Sequence, residues 1–240
     1  MLNYDSMGIP TTIDWKRIRK LFTIGLCAGI MVLIGDMLLG WGVADEALTG
    51  LERKLSAYLE LSDGRIFFSA VLGLIGIPLE GLCYFGIYRL IAPYSQHYAH
   101  MFRSGVLGVL AFGGCGVHVP CLACVYFYRA MRAVSPETAT DAALRFGLFF
   151  LLPAAILFIL FFLVMCAAQI SAFAKGLTPY PKWCWIFSLP VGMLCAILFK
   201  LAGNHAWVNA ITTGWISIGD IWMFGGLLVA MRKLGLDQSA

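Results

Sequence analysis

Apolar positions dominate the chain in long blocks. They run about 21–44, 66–92, 104–128, 146–174, 183–203 and 207–231, each near the ~20 residues needed to cross hydrocarbon. A backbone in lipid must satisfy its own hydrogen bonds, so blocks of this length predict helices. The two-residue alternation of barrel strands is absent. The expected fold is all-α: a polytopic transmembrane bundle of six spans forming one integral membrane domain over residues 1–240. Between the first two spans, residues 45–65 read differently. Ala47, Leu48, Leu51, Leu55, Tyr58 and Leu59 recur at helical spacing among polar residues, which predicts a short amphipathic connector lying on the membrane surface.

Composition agrees with this pattern. Of 240 residues, 60% are hydrophobic and only 12% charged, about half the ~25% charge of soluble domains. The net charge of +4 collects at span ends, where it sets topology. With the N-terminus inside, Lys16, Arg17, Arg19, Lys20, Arg89, Arg103, Lys175, Lys182, Arg232 and Lys233 fall on the cytoplasmic side. Arg53, Lys54, Arg65, Arg129, Arg132, Arg145 and Lys200 fall outside. Ten against seven predicts N-in and C-in, and the expected location is a bacterial cytoplasmic membrane. The stretch "YRAMRAVSPETATDAALR" is basic for an outer loop. "WKRIRK" abuts a span and reads as an anchor to anionic headgroups; no nucleic-acid partner is expected. The expected partners are membrane lipids and a hydrophobic or amphipathic small molecule.

Four ionisable groups interrupt the apolar blocks: Asp36 in the first, Glu80 in the second, His118 in the third and Asp220 in the sixth. At ~1.5 Å rise per residue each lies roughly 17–24 Å from the start of its helix, in the middle to outer half of the membrane. A charge at mid-bilayer costs at least ~2.5–3.5 kcal/mol on insertion scales, so such groups mark a site by default. Convergence on one cavity would let them share protons, water or a cation. Clustered carboxyls in low dielectric cannot all ionise, which suits acid–base chemistry, a proton relay or a cation site alike. The alternative is four separate structural hydrogen bonds; Pro78 and Pro120 each free a carbonyl nearby. One imidazole with two or three carboxylates could also hold a divalent metal, but no HxxxH or HExxH pair strengthens that reading. The metal and any cofactor stay unassigned.

Two further features carry chemistry. Asn204, His205 and Asn209, with Trp41, are candidate substrate-binding residues forming a headgroup rim above the deep site; helix capping at the interface is the competing reading. Cys121 and Cys124 form a CxxC, which a membrane thiol oxidoreductase would use, although no shuttle pair accompanies it. The eight cysteines otherwise read as small buried hydrophobes. The "GG" pairs at 113–114 and 225–226 predict bends in the third and sixth spans.

"IGDMLLGWG" around Asp36 resembles the Gly-Asp-x-Leu-Leu stretch of the lysoplasmalogenase family, polytopic membrane hydrolases of vinyl-ether lipids. "SIGDIWMFGG" around Asp220 is similar to that family's late Asp-containing helix. The resemblance covers about a tenth of the chain and implies Asp36 and Asp220 as a catalytic aspartate dyad in lipid metabolism. The family has more helices than the six counted here, and its glycine-histidine-tyrosine segment is missing. "SIGDIW" also resembles the Gly-x-Gly-Asp motif of presenilin-type proteases, with Ser217 in place of the first glycine and no Pro-Ala-Leu motif following. Three functions follow from these residues: an intramembrane hydrolase on a lipid-like substrate, a small proton- or cation-coupled transporter, and a non-catalytic lipid-binding protein. A three-plus-three inverted repeat would match the first span with the fourth, yet the Ile-Gly-Asp echo joins the first and sixth.

Overall fold

The structure, a computed structural model, describes residues 13–236; residues 1–12 and 237–240 of the expected domain lie outside them. It is all-α, with no strand among the described residues. The helices in chain order are α1 (Trp15–Gly40), α2 (Gly50–Ser56), α3 (Asp63–Cys83), α4 (Phe85–Ile91), α5 (Gln96–Phe112), α6 (Val119–Val134), α7 (Pro136–Phe146), α8 (Leu152–Ala174), α9 (Leu189–Leu198), α10 (Ala206–Thr213) and α11 (Trp215–Lys233).

Five helical stretches are long and apolar enough to cross a membrane: Trp15–Gly40, Asp63–Ile91, Gln96–Val134, Pro136–Ala174 and Trp215–Lys233. The expected span at 183–203 is shorter than predicted. Its regular part is Leu189–Ala202, roughly 20 Å of helix against ~30 Å of hydrocarbon. Lys182–Ile186, which the pattern assigned to the same span, forms a separate 3₁₀ turn between Pro181 and Pro190. The third and fourth stretches are longer than predicted, at 39 residues each. At ~1.5 Å per residue that is about twice the hydrocarbon thickness. The basic stretch expected as an outer loop is a helix–helix junction at Ser135, with Pro136 opening α7. Two of its three arginines dock on the connector: Arg129 pairs with Asp63 at 2.7 Å and Arg132 with Glu52 at 3.7 Å.

The connector is less helical than its periodicity suggests. Only Gly50–Ser56 is regular helix. Ahead of it the Asp45 carboxylate accepts from the Ala47 amide (2.9 Å) and the Ser56 hydroxyl accepts from the Asp45 amide (2.8 Å), closing a turn instead. Gly50 then takes φ +61°, a conformation open to glycine.

Two stretches widen into π-helix: Gly113–His118 and Gly147–Leu151. Each lies just ahead of a proline, Pro120 and Pro153. The ring collides with the carbonyl four residues back, Gly116 or Phe149, and supplies no N–H to it. The ladder slips by one residue and the turn widens. The bend expected at Gly113–Gly114 is thus present as a π segment. The one expected at Gly225–Gly226 is absent. There α11 runs on as regular helix, because Gly226 serves close packing: a Cβ on it would overlap the Phe187 ring. The last stretch breaks at Gly214.

The main apolar core fills the end of the bundle where α1 begins. Phe22 and Phe224 meet with ring centroids 5.8 Å apart, and Tyr84 stacks on Phe224 at 5.7 Å. A Cβ on Gly25 would lie 2.7 Å from the Phe224 ring, so this glycine sets how closely α1 approaches α11. Trp15 meets Tyr180 edge-on, and the Tyr180 hydroxyl donates to the Leu227 carbonyl (3.2 Å), tying the 177–188 segment under this end.

Candidate functional site

α1 packs on α3 along one side and on α10 and α11 along the other. The π segment closes against α3 and α5, and α5 lies along α8. This order brings Asp36, Glu80, His118 and Asp220 to one cavity of about 230 Å³ in the half of the bundle nearer the connector. Four helices whose acids and imidazole were legible separately therefore share one interior.

His118 is held firmly. Its Nε2 lies 3.0 Å from the Ser69 carbonyl of α3. A carbonyl only accepts, so Nε2 carries the hydrogen and Nδ1 is left to face Asp36 Oδ1, 3.9 Å away. Gly73 makes this possible, since a Cβ there would overlap the imidazole. The π segment aims the ring inward, as His118 is its last residue. Asp36 in turn accepts from the Ser217 hydroxyl of α11 at 2.7 Å (Oδ2).

Asp220 and Glu80 occupy the deeper end. Asp220 is fully buried and Glu80 nearly so, at 4% exposure. The Tyr84 phenol donates to Asp220 Oδ1 at 2.7 Å. Gly29 of α1 lets both acids approach: a Cβ on it would sit 3.4 Å from Glu80 Oε1 and 3.5 Å from the Asp220 Cβ. Glu80 Oε1 and Asp220 Oδ2 are buried with no hydrogen-bond partner in the protein. In such a setting an unpaired polar atom is costly. The cavity thus has two parts: Asp36 and His118, 3.9 Å apart and each hydrogen-bonded to another helix, and a Glu80–Asp220 pair short of protein donors.

Two members, Tyr84 and Ser217, were not singled out from the sequence. Tyr84 stands one helical turn after Glu80 and lines the cavity, as does Cys121 of the CxxC. The i,i+4 offset of Tyr84 from a flagged residue was the available signal. Ser217 stands three residues before Asp220, yet its hydroxyl bonds Asp36, a pairing no spacing could disclose.

The proposed rim is placed elsewhere. Trp41, Asn204, His205 and Asn209 do not line the acid cavity. The Asn209 amide donates to the Gly42 carbonyl (2.8 Å) and to Asn204 Oδ1 (3.0 Å), while Asn204 donates to the Ala44 carbonyl (3.4 Å). These amides clamp the 42–44 segment to α10. His205 opens α10 without a side-chain cap and stacks on Trp207. Trp41 is half exposed, its carbonyl accepting from Arg65. Cys121 and Cys124 also diverge, because Cys124 turns to the Ala143 carbonyl at 3.5 Å. Every cysteine is unbridged. Among the described residues no three of His, Cys, Asp and Glu are grouped to hold a metal ion.

The cavity is roofed and floored by apolar side chains. Toward the connector, Leu61, Ile66 and Val125 pack with Leu39 and Leu122, and Tyr58 closes over them. Burial beside Cys121 pushes the Tyr58 phenol up to about 12. Toward the other end, Tyr84 and Phe162 merge into the main core.

Residues 6–234 match a family of unknown function, DUF6796, and the chain belongs to that family. No curated protein and no solved structure matches it.

Proposed function

We propose that this member of DUF6796 is an intramembrane hydrolase acting on a lipid-like substrate. The observation that carries the reading is the meeting of Asp36, Glu80, His118 and Asp220 in one cavity. Asp36 and Asp220 act as acid and base. His118, fixed through Nε2, presents Nδ1 to Asp36 and passes a proton or positions water. Glu80 beside Asp220 sets which carboxyl holds the proton. Water adds across the cleaved bond, its hydroxyl to one fragment and its proton to the other. The aspartate dyad is the pair that the resemblance to lysoplasmalogenases implies.

The same reading makes the chain an integral protein of a bacterial cytoplasmic membrane, with six spans counting the short α9 stretch, N-in and C-in. The ten basic residues assigned to the inside gather at the end where α1 begins. Of the seven assigned outside, Arg129 and Arg132 have acidic partners on the connector side. One observation favours the proton- or cation-coupled carrier as the second reading: Glu80 Oε1 and Asp220 Oδ2 have no protein donor.

Mass spectrometry of total lipids incubated with purified protein tests the proposal, comparing wild type with Asp220→Asn. A product formed by wild type alone supports the hydrolase, and its mass difference names the bond. No product from several lipid sources, with folded protein, overturns it in favour of the carrier or lipid-binding readings.

A further inference from the structure

The cavity has a way in and a preference of charge. α8 and α11 both line it, through Phe158 and Phe162 on one side and Trp215 and Ile216 on the other. Yet these two helices barely touch along their length, while each packs closely on other neighbours. Below the cavity the seam is closed by the 182–188 segment: the Gln169 amide donates to the Phe187 carbonyl (3.1 Å) and the Trp222 indole to the Ile186 carbonyl (2.7 Å). Above, the connector roof shuts it. The remaining direction is sideways, into the bilayer, past Trp215, which is 39% exposed.

Size limits what enters. About 230 Å³ is room for roughly eight waters at ~30 Å³ each, below the ~300–1,000 Å³ of ordinary ligand pockets. A polar end and a few carbons fit; a hydrocarbon chain must lie outside, in the α8–α11 seam. Charge limits it further. Three carboxyls line the cavity and, among the described residues, no Lys or Arg does. A phosphate or carboxylate end would meet repulsion. Asp36 already accepts from Ser217, whereas Glu80 Oε1 and Asp220 Oδ2 are buried and without a protein donor. An ammonium supplies three donors and a compensating charge, and the Tyr84, Phe158 and Phe162 rings offer aromatic surface that suits a cation.

We propose that the cavity binds the amine end of a cationic amphiphile, with its ammonium between Glu80 and Asp220 and its chain leaving between α8 and α11. This deepens the hydrolase reading by naming its substrate class, and rests on the same site.

The test uses full-length protein in phosphatidylcholine nanodiscs and titrates dodecylammonium, dodecanol and dodecyl phosphate. Dodecylammonium is expected to bind saturably and dodecyl phosphate not to. Glu80→Gln, isosteric and uncharged, should weaken the amine by about 10–100-fold, the worth of a charge-assisted hydrogen bond, and leave dodecanol unchanged. Ile216→Trp should block the seam and abolish binding with the melting temperature preserved. Equal binding of the phosphate, unsaturable partitioning that neither variant alters, or displacement by sodium chloride as readily as by the amine would each overturn the proposal; the last would indicate a small-cation site. Amine binding without lipid turnover would retire the hydrolase and keep this inference. Turnover of a phosphate-ended lipid without amine binding would do the reverse.

Discussion

At the end of the bundle where α1 begins, Phe22, Tyr84 and Phe224 stack into one another and glycines are filled by neighbouring rings. At the connector end, the same α1, α3 and α11 border a cavity lined by three carboxyls and an imidazole. The helices are shared, so their apolar character does not explain the difference. What differs is the partner opposite each small residue. Gly25 and Gly226 face aromatic rings, which seal the space, whereas Gly29 and Gly73 face Glu80 and His118. Small residues in the two halves do the same mechanical work, close approach, and admit opposite chemistry. The dry half serves as a clamp that fixes the helices, and the cavity half spends that rigidity on holding Glu80 and Asp220 short of protein donors.

The comparison breaks most easily at Asp220. Asp220→Asn should lower turnover by about 10²–10⁴-fold, the usual worth of general acid–base catalysis, with an unchanged or raised melting temperature. Unfolding instead would place Asp220 with the clamp. Phe224→Ala, in the dry half, should show the converse pattern. Truncating a buried aromatic costs about 3–5 kcal/mol, read as a large loss of thermal stability in detergent, and activity should fall only in proportion to folded protein.

Gly73→Ala sharpens the contrast, because its methyl would displace the His118 ring from the Ser69 carbonyl. Overpacking of this kind costs about 1–3 kcal/mol. Activity should drop further than stability accounts for, whereas Gly25→Ala should cost stability alone. Parallel losses in both would remove the distinction between the halves.

Asn209→Ala should cost about 0.6–1.7 kcal/mol, the range for hydrogen bonds between membrane helices, and leave amphiphile binding intact, since its amide holds Gly42 and Asn204. A selective loss of binding would restore the rim. Arg129→Ala should change stability by under about 1 kcal/mol, because its partner Asp63 is largely exposed. A larger drop would mean that the connector's docking supports the cavity roof.

Much of this protein is determined by the order of its residues alone. Long apolar blocks can satisfy their backbones in lipid only as helices, and Asp36, Glu80, His118 and Asp220 stand out because burying each is costly without a partner. Local chemistry also fixes where helices end or widen: Pro120 and Pro153 act on the carbonyl four residues back, and Asp45 and Gly50 stop the connector from being one helix. Periodicity overreached at 183–203, since apolar residues there could equally be a 3₁₀ turn and a short helix between prolines. Only the tertiary structure decided that the four groups meet, that Ser217 serves Asp36 and not its neighbour Asp220, that Tyr84 caps Asp220, and that Asn204 and Asn209 are occupied by backbone. The reason is physical. A helix's sequence records which face avoids water or lipid, but not which helix lies opposite. That depends on glycine contacts such as Gly29 against Glu80 and Gly73 against His118, which in the sequence look the same as the glycines packed on Phe224 and Phe187.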